Sequence, residues 1–550
     1  MKLNQSVFDQ KDLWEKKGYA VPRFDRKQAA AATASHPVWL HIGAGNIFRA
    51  FQAHGVQKLL NAGLMDTGLI VAESYDPEII ERIYRPYDNM SILVTLKADG
   101  SMDKCVIGSV MESLCMTDDM GRLRSVFASP SLQLVSLTIT EKGYQISNGD
   151  EQLLEPIARD MECGPDGART TLGMLVALLF ERFNQGAYPL ALVSMDNCSH
   201  NGQKLRDAVL VIAKGWADRD FVPETFLTYI SAPEKISFPW TMIDKITPRP
   251  DPSLVAVLEA DGVEEMICLE TAKHTFIGTY VNAESCEYLM IEDSFPNGRP
   301  PLEAAGFILT DRKTVNRGEQ MKVCTCLNPL HTALAVFGCL LGKKTIAQAM
   351  ADVVLRKLVM GIGYDEGLPV AEDPGVLSPK QFLDDVVYRR LVNPFIPDTP
   401  ARIATDTSQK LSVRFGKTIR AYMNDSGKGA GSLKLIPLVF AGWLRYLMGT
   451  DDDGRRMTLS PDPRLEELTG MMKKLENGKV GVGTEMSDAE ISTGDEQRYE
   501  ALLRPILTKT DIWGVDLYEA GLVPEIVSDF MAMTAGPGAV YAWLKRKVED

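Results

Sequence analysis

Val38-Trp39-Leu40-His41-Ile42-Gly43-Ala44-Gly45-Asn46-Ile47-Phe48-Arg49-Ala50 is the stretch whose reading decides the fold. A short apolar run ends in glycine, which is how a buried parallel strand reads. Residues 47–62 continue with helical periodicity, and Leu69-Ile70-Val71-Ala72 is a second strand. The first 75 residues therefore read as one β-α-β unit. Gly43 permits the tight turn between strand and helix. Gly45 removes a side chain where a dinucleotide pyrophosphate must approach the backbone. The helix start at Asn46 and Ile47, followed by Arg49, offers unpaired N–H groups and a positive dipole end to phosphates. Gly43, Gly45, Asn46, Ile47 and Arg49 are thus the expected cofactor contacts. The third small position is Ala50, later than the usual spacing, so this is a variant fingerprint.

Glu73 ends the second strand, 28 positions after Gly45. An acid there can accept hydrogen bonds from ribose hydroxyls and would repel a 2′-phosphate, which favours NAD over NADP. Asp76 competes for that role, and a solvated charge at a strand end is the plainer alternative for Glu73.

Beyond this unit the alternation continues. Residues 134–140 and 190–195 are strand-like, with a helical segment over 171–184 between them. Such alternation predicts a parallel sheet covered on both faces. From about Thr332 onward long amphipathic stretches dominate, at 345–360, 379–391 and 433–448. The expected architecture is α/β: a Rossmann-type dinucleotide-binding domain with insertions over 1–300 and a mostly α-helical C-terminal domain over 301–550. The glycine-rich stretch 477–483 reads as a loop within the second domain.

Composition narrows the classes. With 550 residues, 45% hydrophobic and 24% charged, the chain can bury two substantial cores. Its net charge of -14 argues against a nucleic acid or anionic membrane as partner, since both need concentrated Lys and Arg. No uninterrupted apolar run approaches the roughly 20 residues that span a bilayer, and the N-terminus lacks the pattern of a secretion signal. Nine scattered cysteines fit reduced thiols and a cytoplasmic location. Cys324-Thr325-Cys326 lacks the second pair that a zinc site needs, so no metal is expected.

Several further blocks lie far apart in sequence. They are Thr138-Ile139-Thr140-Glu141-Lys142-Gly143-Tyr144, Ser194-Met195-Asp196-Asn197 with Asn201-Gly202, and Phe238-Pro239-Trp240-Thr241-Met242-Ile243-Asp244. Glu319-Gln320-Met321-Lys322 precedes Leu327-Asn328-Pro329-Leu330-His331, and Arg402 and Lys410 stand eight apart. In these blocks, from about residue 38 to at least 415, the chain resembles the mannitol dehydrogenase family of polyol-specific long-chain dehydrogenases.

The resemblance implies an NAD(H)-dependent oxidoreductase without catalytic metal. It implies Lys322 as general acid/base, with Glu319 moving protons to and from it. Asn328, His331 and Asn197 would accompany the lysine, Asp244 would contact substrate, and Arg402 with Lys410 would form a substrate-side basic pair. The expected substrate is a small sugar acid or polyol. The first expectation is a hexuronate ketone reduced to its aldonate, fructuronate to D-mannonate; tagaturonate or mannitol is the alternative. A nucleotide-binding sensor that kept the fold is the rival of another class.

Two features depart from the family pattern. Five residues, not four, separate Lys322 from Asn328, and Pro329 replaces a glycine. Taken alone, Asn328 also reads as an N-cap for a helix beginning near Leu330.

Overall fold

The computed structural model describes residues 1–149, 152–425, 427, 429–477 and 493–549. The expected loop at 477–483 lies, beyond Asn477, outside the described residues. The chain packs as two compact units, Met1–Asn316 and Arg317–Asp550. Their division falls inside a helix, a little beyond the boundary expected near residue 300.

The first unit is built on six parallel strands: β1 (Trp39–Ile42), β2 (Leu69–Glu73), β3 (Val110–Cys115), β4 (Leu134–Leu137), β5 (Leu190–Ser194) and β6 (Ile236–Ser237). Their spatial order is β3-β2-β1-β4-β5-β6, with β1 at the reversal of strand order. This is the dinucleotide-binding order, in which ligands sit beyond the carboxyl ends of the strands at the reversal.

Side-chain alternation explains why both faces are buried. Leu40, Ile42, Ile70, Val135 and Leu192 belong to one apolar core, while Trp39, Leu69, Val71, Leu134 and Val193 belong to another. The helices α1 (Ala53–Asn61), α2 (Thr171–Asn184) and α3 (Asn201–Ala217) supply the cover. Val56 and Leu59 of α1 join the second core; Leu175 and Leu179 of α2 and Val209 of α3 join the first. A four-stranded mixed sheet contains Ser91–Leu96, Met102–Ile107 and Tyr280–Glu284. A three-stranded one contains Thr241–Asp244, Tyr288–Glu292 and Ile308–Thr310.

His41 sits inside β1 between Ser136 Oγ, 2.6 Å from Nδ1, and Thr138 Oγ1, 2.9 Å from Nε2, and stacks on Phe48. Burial pushes its pKa down to about 3, and burial followed by Lys58 pushes that of His54 down to about 4. Between these values and about 6.5 the unfolded chain binds more protons than the folded one. Stability is thus complete above about pH 6.5 and falls as the pH drops below it, by up to about 1.4 kcal/mol per pH unit for each ring. Thermal unfolding followed from neutral pH to about pH 5 is expected to show this decline, and His41→Gln to make it shallower. A midpoint unchanged over that range would contradict the buried neutral rings.

The second unit is helical. Residues 345–360 break at Asp352, whose carboxylate accepts hydrogen bonds from Val354 N (3.0 Å) and Leu355 N (3.4 Å) and so starts a new helix, Val353–Met360. Residues 379–391 form Pro379–Asp385 followed by a π-helical turn, Val386–Arg390. Glu366 accepts from Lys434 N, Leu435 N and Ile436 N at 2.5, 2.7 and 2.8 Å, satisfying the open end of Leu435–Tyr446. The helical run Arg312–Leu340 has the length and composition to cross a membrane, yet 78% of its most apolar window is buried within the protein.

Candidate active site

The glycine turn is held by backbone geometry that only glycine permits. Gly43 has φ +110°, donates from its N to Ala72 O at 2.8 Å, and a Cβ there would lie 2.3 Å from Thr138 O. Gly45 differs: a Cβ there meets no protein atom within 4 Å. The space a side chain would occupy stands open beside the start of the helix, which is the form a pyrophosphate needs. Ile47 is helical and half-buried, and the π-helical turn Phe48–Gln52 leads into α1.

The other residues expected to contact cofactor are engaged with the protein. Asn46 donates from Nδ2 to Phe276 O at 3.1 Å and accepts from Arg49 Nη2 at 2.7 Å. Arg49 is 1% exposed, donates from Nη1 to Gly278 O at 2.6 Å and lies over the Tyr84 ring. Glu73 is buried, which removes the solvated-charge alternative. Its Oε2 accepts from Ala44 N at 2.8 Å, and its Oε1 from Tyr75 N at 2.8 Å and Asp76 N at 3.2 Å. Asp76, its competitor, is also buried and accepts from Thr271 Oγ1 at 2.6 Å. Both acids therefore shape the loop from within.

At the carboxyl end of β5 the structure brings three distant blocks together. Asp196 accepts from Ile139 N and Thr140 N, both at 2.9 Å, and from Tyr144 Oη at 2.6 Å. Asn201 donates from Nδ2 to Asp196 O (3.0 Å) and Thr241 Oγ1 (2.8 Å), and accepts from Thr241 N at 3.0 Å. A Cβ at Gly202 would lie 2.7 Å from both Phe238 O and Pro239 O, so only glycine lets the start of α3 approach the segment after β6 this closely. Asn197 is exposed immediately after this clamp, and Asp244 is buried at the end of the strand Thr241–Asp244. Asp196, Tyr144 and Asn201 are positioning residues that the sequence blocks contained but did not single out.

The helix α4 (Arg312–Met321), within which the division falls, carries Glu319 one turn before Lys322. Lys322 is 3% exposed and opens a π-helical turn, Lys322–Cys326, closed by Leu327 N donating to Lys322 O at 3.0 Å. The helix α5 (Asn328–Leu340) follows directly. Asn328 is therefore its first residue and Leu327 occupies the cap position, where no side chain caps; the N-cap expectation for Asn328 fails. Among the described residues the Asn328 amide has no hydrogen-bond partner, and it lies one turn before His331.

Cys324 and Cys326 are buried in the π turn, and burial pushes the Cys326 thiol up to about 12. His331 is half-buried; burial, then Arg390, Arg414 and Arg402, push its pKa down to about 3, so its ring is neutral at ordinary pH. Arg402, on the short helix Pro400–Ile403, is bonded to Asp398. Lys410, on α6 (Thr407–Met423), donates to Thr405 O, and burial followed by Arg414 lowers its pKa.

The family model described as the mannitol dehydrogenase Rossmann domain matches residues 38–304, and that for the mannitol dehydrogenase C-terminal domain matches 314–534. The chain belongs to the mannitol dehydrogenase family. It is an oxidoreductase with a Rossmann-type N-terminal domain and a helical C-terminal domain. It is similar to D-mannonate oxidoreductase of Thermotoga maritima, 47% identical over 100% of this chain and 99% of that protein. D-mannonate oxidoreductase of Escherichia coli is 29% identical over 78% of this chain and 83% of that protein. A solved structure of Pseudomonas fluorescens mannitol 2-dehydrogenase in ternary complex with NAD and D-mannitol matches with TM-score 0.68, 26% identity and 100% of both chains covered. Substrate-free D-sorbitol dehydrogenase shares the fold, with TM-score 0.71, 23% identity, 92% of this chain and 97% of that chain covered.

Within this mannitol dehydrogenase family member the fifth residue between Lys322 and Asn328 has a physical explanation. A π turn is a helix holding one additional residue, closed by an i to i+5 bond. The bond from Leu327 N to Lys322 O is that closure. The added residue is absorbed locally, and helix continues on both sides of it.

Proposed function

We propose that the protein is an NAD-dependent oxidoreductase that interconverts D-fructuronate and D-mannonate. The observation carrying this reading is full-length similarity, at 47% identity, to a D-mannonate oxidoreductase. Binding of NAD is supported by the β3-β2-β1-β4-β5-β6 strand order and by the open space at Gly45. NAD, held at the glycine turn, would supply or accept the hydride at the carbonyl carbon.

Ketone reduction also requires a proton on oxygen. Lys322 holds that proton on Nζ and donates it as the alcohol forms; in the reverse direction the neutral amine removes it. Glu319, one turn earlier on α4, exchanges the proton with the lysine. Asn328 and Asn197 carry amide N–H donors for the reacting oxygen, an interaction worth about 3 kcal/mol when charge develops there. The neutral ring of His331 hydrogen-bonds a neighbouring hydroxyl, and Asp244, Arg402 and Lys410 serve substrate binding. The nine cysteines are free thiols, which supports a reducing, cytoplasmic setting.

NADH formation measured with D-mannonate, D-altronate and D-mannitol tests the substrate. The expected kcat/KM for D-mannonate exceeds that for D-mannitol by about 100-fold, because a site built for a charged group rejects the analogue lacking it. Oxidation of D-mannitol with both aldonates ignored would overturn the sugar-acid reading.

A further inference from the structure

Around His331 the second unit gathers positive charge that its own acids do not all balance. The charges of Arg390, Arg414 and Arg402 each act to lower the pKa of His331. Arg402 is bonded to Asp398 and its side chain is 66% exposed. Lys410 has Asp406 and Asp462 nearby. Arg414 is different. It is half-buried on α6, one turn after Lys410, and among the described residues no carboxylate pairs with it.

Among the described residues Arg414 makes one hydrogen bond, from Nη1 to Thr332 Oγ1 at 2.7 Å. Thr332 is 2% exposed and donates in turn to Asn328 O at 2.9 Å. The guanidinium is thereby fixed against the turn of α5 that carries Asn328 and His331. Burial pushes its pKa down to about 10, so it remains charged at neutral pH. A half-buried guanidinium held by one hydroxyl keeps most of its donor fork for another group, and that fork matches a carboxylate. A buried charge without counterion is costly, so an anionic ligand gains from completing it.

We propose that Arg414 is the specificity residue that holds the substrate carboxylate, with Lys410 as the neighbouring point charge. The proposal rests on the sugar-acid reading above and assigns the carboxylate to a residue other than Arg402. It gives the neutral His331 a different task, the hydroxyls next to the anion.

Steady-state kinetics of the full chain test it. Arg414→Gln is expected to raise KM for D-mannonate by about 100-fold while kcat at saturation changes by less than about threefold. Arg414→Lys, which keeps the charge but not the fork, is expected to recover part of the KM and serves alone if the glutamine variant does not fold. An unchanged KM, or a fall in kcat at constant KM, would overturn the proposal. A wild-type protein that ignores D-mannonate would refute the substrate reading instead, and a binding assay then isolates Arg414. D-gluconate is expected to raise the wild-type Tm more than uncharged D-sorbitol does, and Arg414→Gln to erase that difference. Absence of the difference in the wild type, or its persistence in the variant, sinks the assignment.

Discussion

Lys322→Ala is expected to lower kcat by at least about 1,000-fold while leaving NADH affinity close to that of the wild type. The proposed role of Lys322 as general acid/base carries this expectation, since its removal would lose the factor that proton transfer contributes. The cofactor loop belongs to the compact unit Met1–Asn316 and Lys322 to the other, so nucleotide binding is a separate readout. Fluorescence titration of NADH and single-turnover kinetics measure the two effects independently. Lys322→Met, closer in shape and apolar, guards against a loss caused by the cavity around a side chain that is 3% exposed. Turnover within about tenfold of the wild type in either variant would exclude Lys322 as the proton carrier.

The second large effect concerns two glycines that look alike in sequence. Gly43→Ala places a methyl 2.3 Å from Thr138 O at a φ of +110°. Backbone strain and overpacking together are expected to cost about 3 kcal/mol, visible as a lower Tm, and NADH affinity falls with the distorted turn. Gly45→Ala adds its methyl where no protein atom lies within 4 Å. Its Tm is expected to match the wild type while NADH affinity drops by about 10-fold or more, since the methyl occupies the path of the pyrophosphate. Equal Tm losses in both variants would show that the second glycine serves the fold rather than the ligand.

Much of the first unit could be read from periodicity. Strand β1, the glycine turn and Thr171–Asn184 stand where the apolar patterns put them, because strands buried on both faces leave continuous apolar runs. The mixed sheet around Ser91–Leu96 could not be read so easily. Its strand Met102–Ile107 mixes exposed, half-buried and buried residues, and Tyr280–Glu284, which pairs with Ser91–Leu96, lies far along the chain.

The site was legible as separate blocks, not as contacts. Glu73 has the identity and strand-end position of a ribose acceptor, yet its carboxylate turns inward to three backbone amides. No local pattern announces that choice. Nor does Asn201 disclose that it joins the end of β5 to Thr241, since both ends of that contact are polar residues common in loops. Arg414 was illegible for a different reason. Its distinction is that no acid pairs with it among the described residues, and that becomes visible only when the neighbours on α5 and the short helix Pro400–Ile403 are known.

The π turn at Lys322–Cys326 has a consequence for kinship. A helix that swallows an insertion in a single widened turn changes the count between two residues while preserving the element that carries each. Spacing in this part of the chain is thus a poor ruler of descent. A search that demands four intervening residues would pass over this protein, and one that allows a single slip between lysine and asparagine would recover it together with any other members that carry the same widened turn.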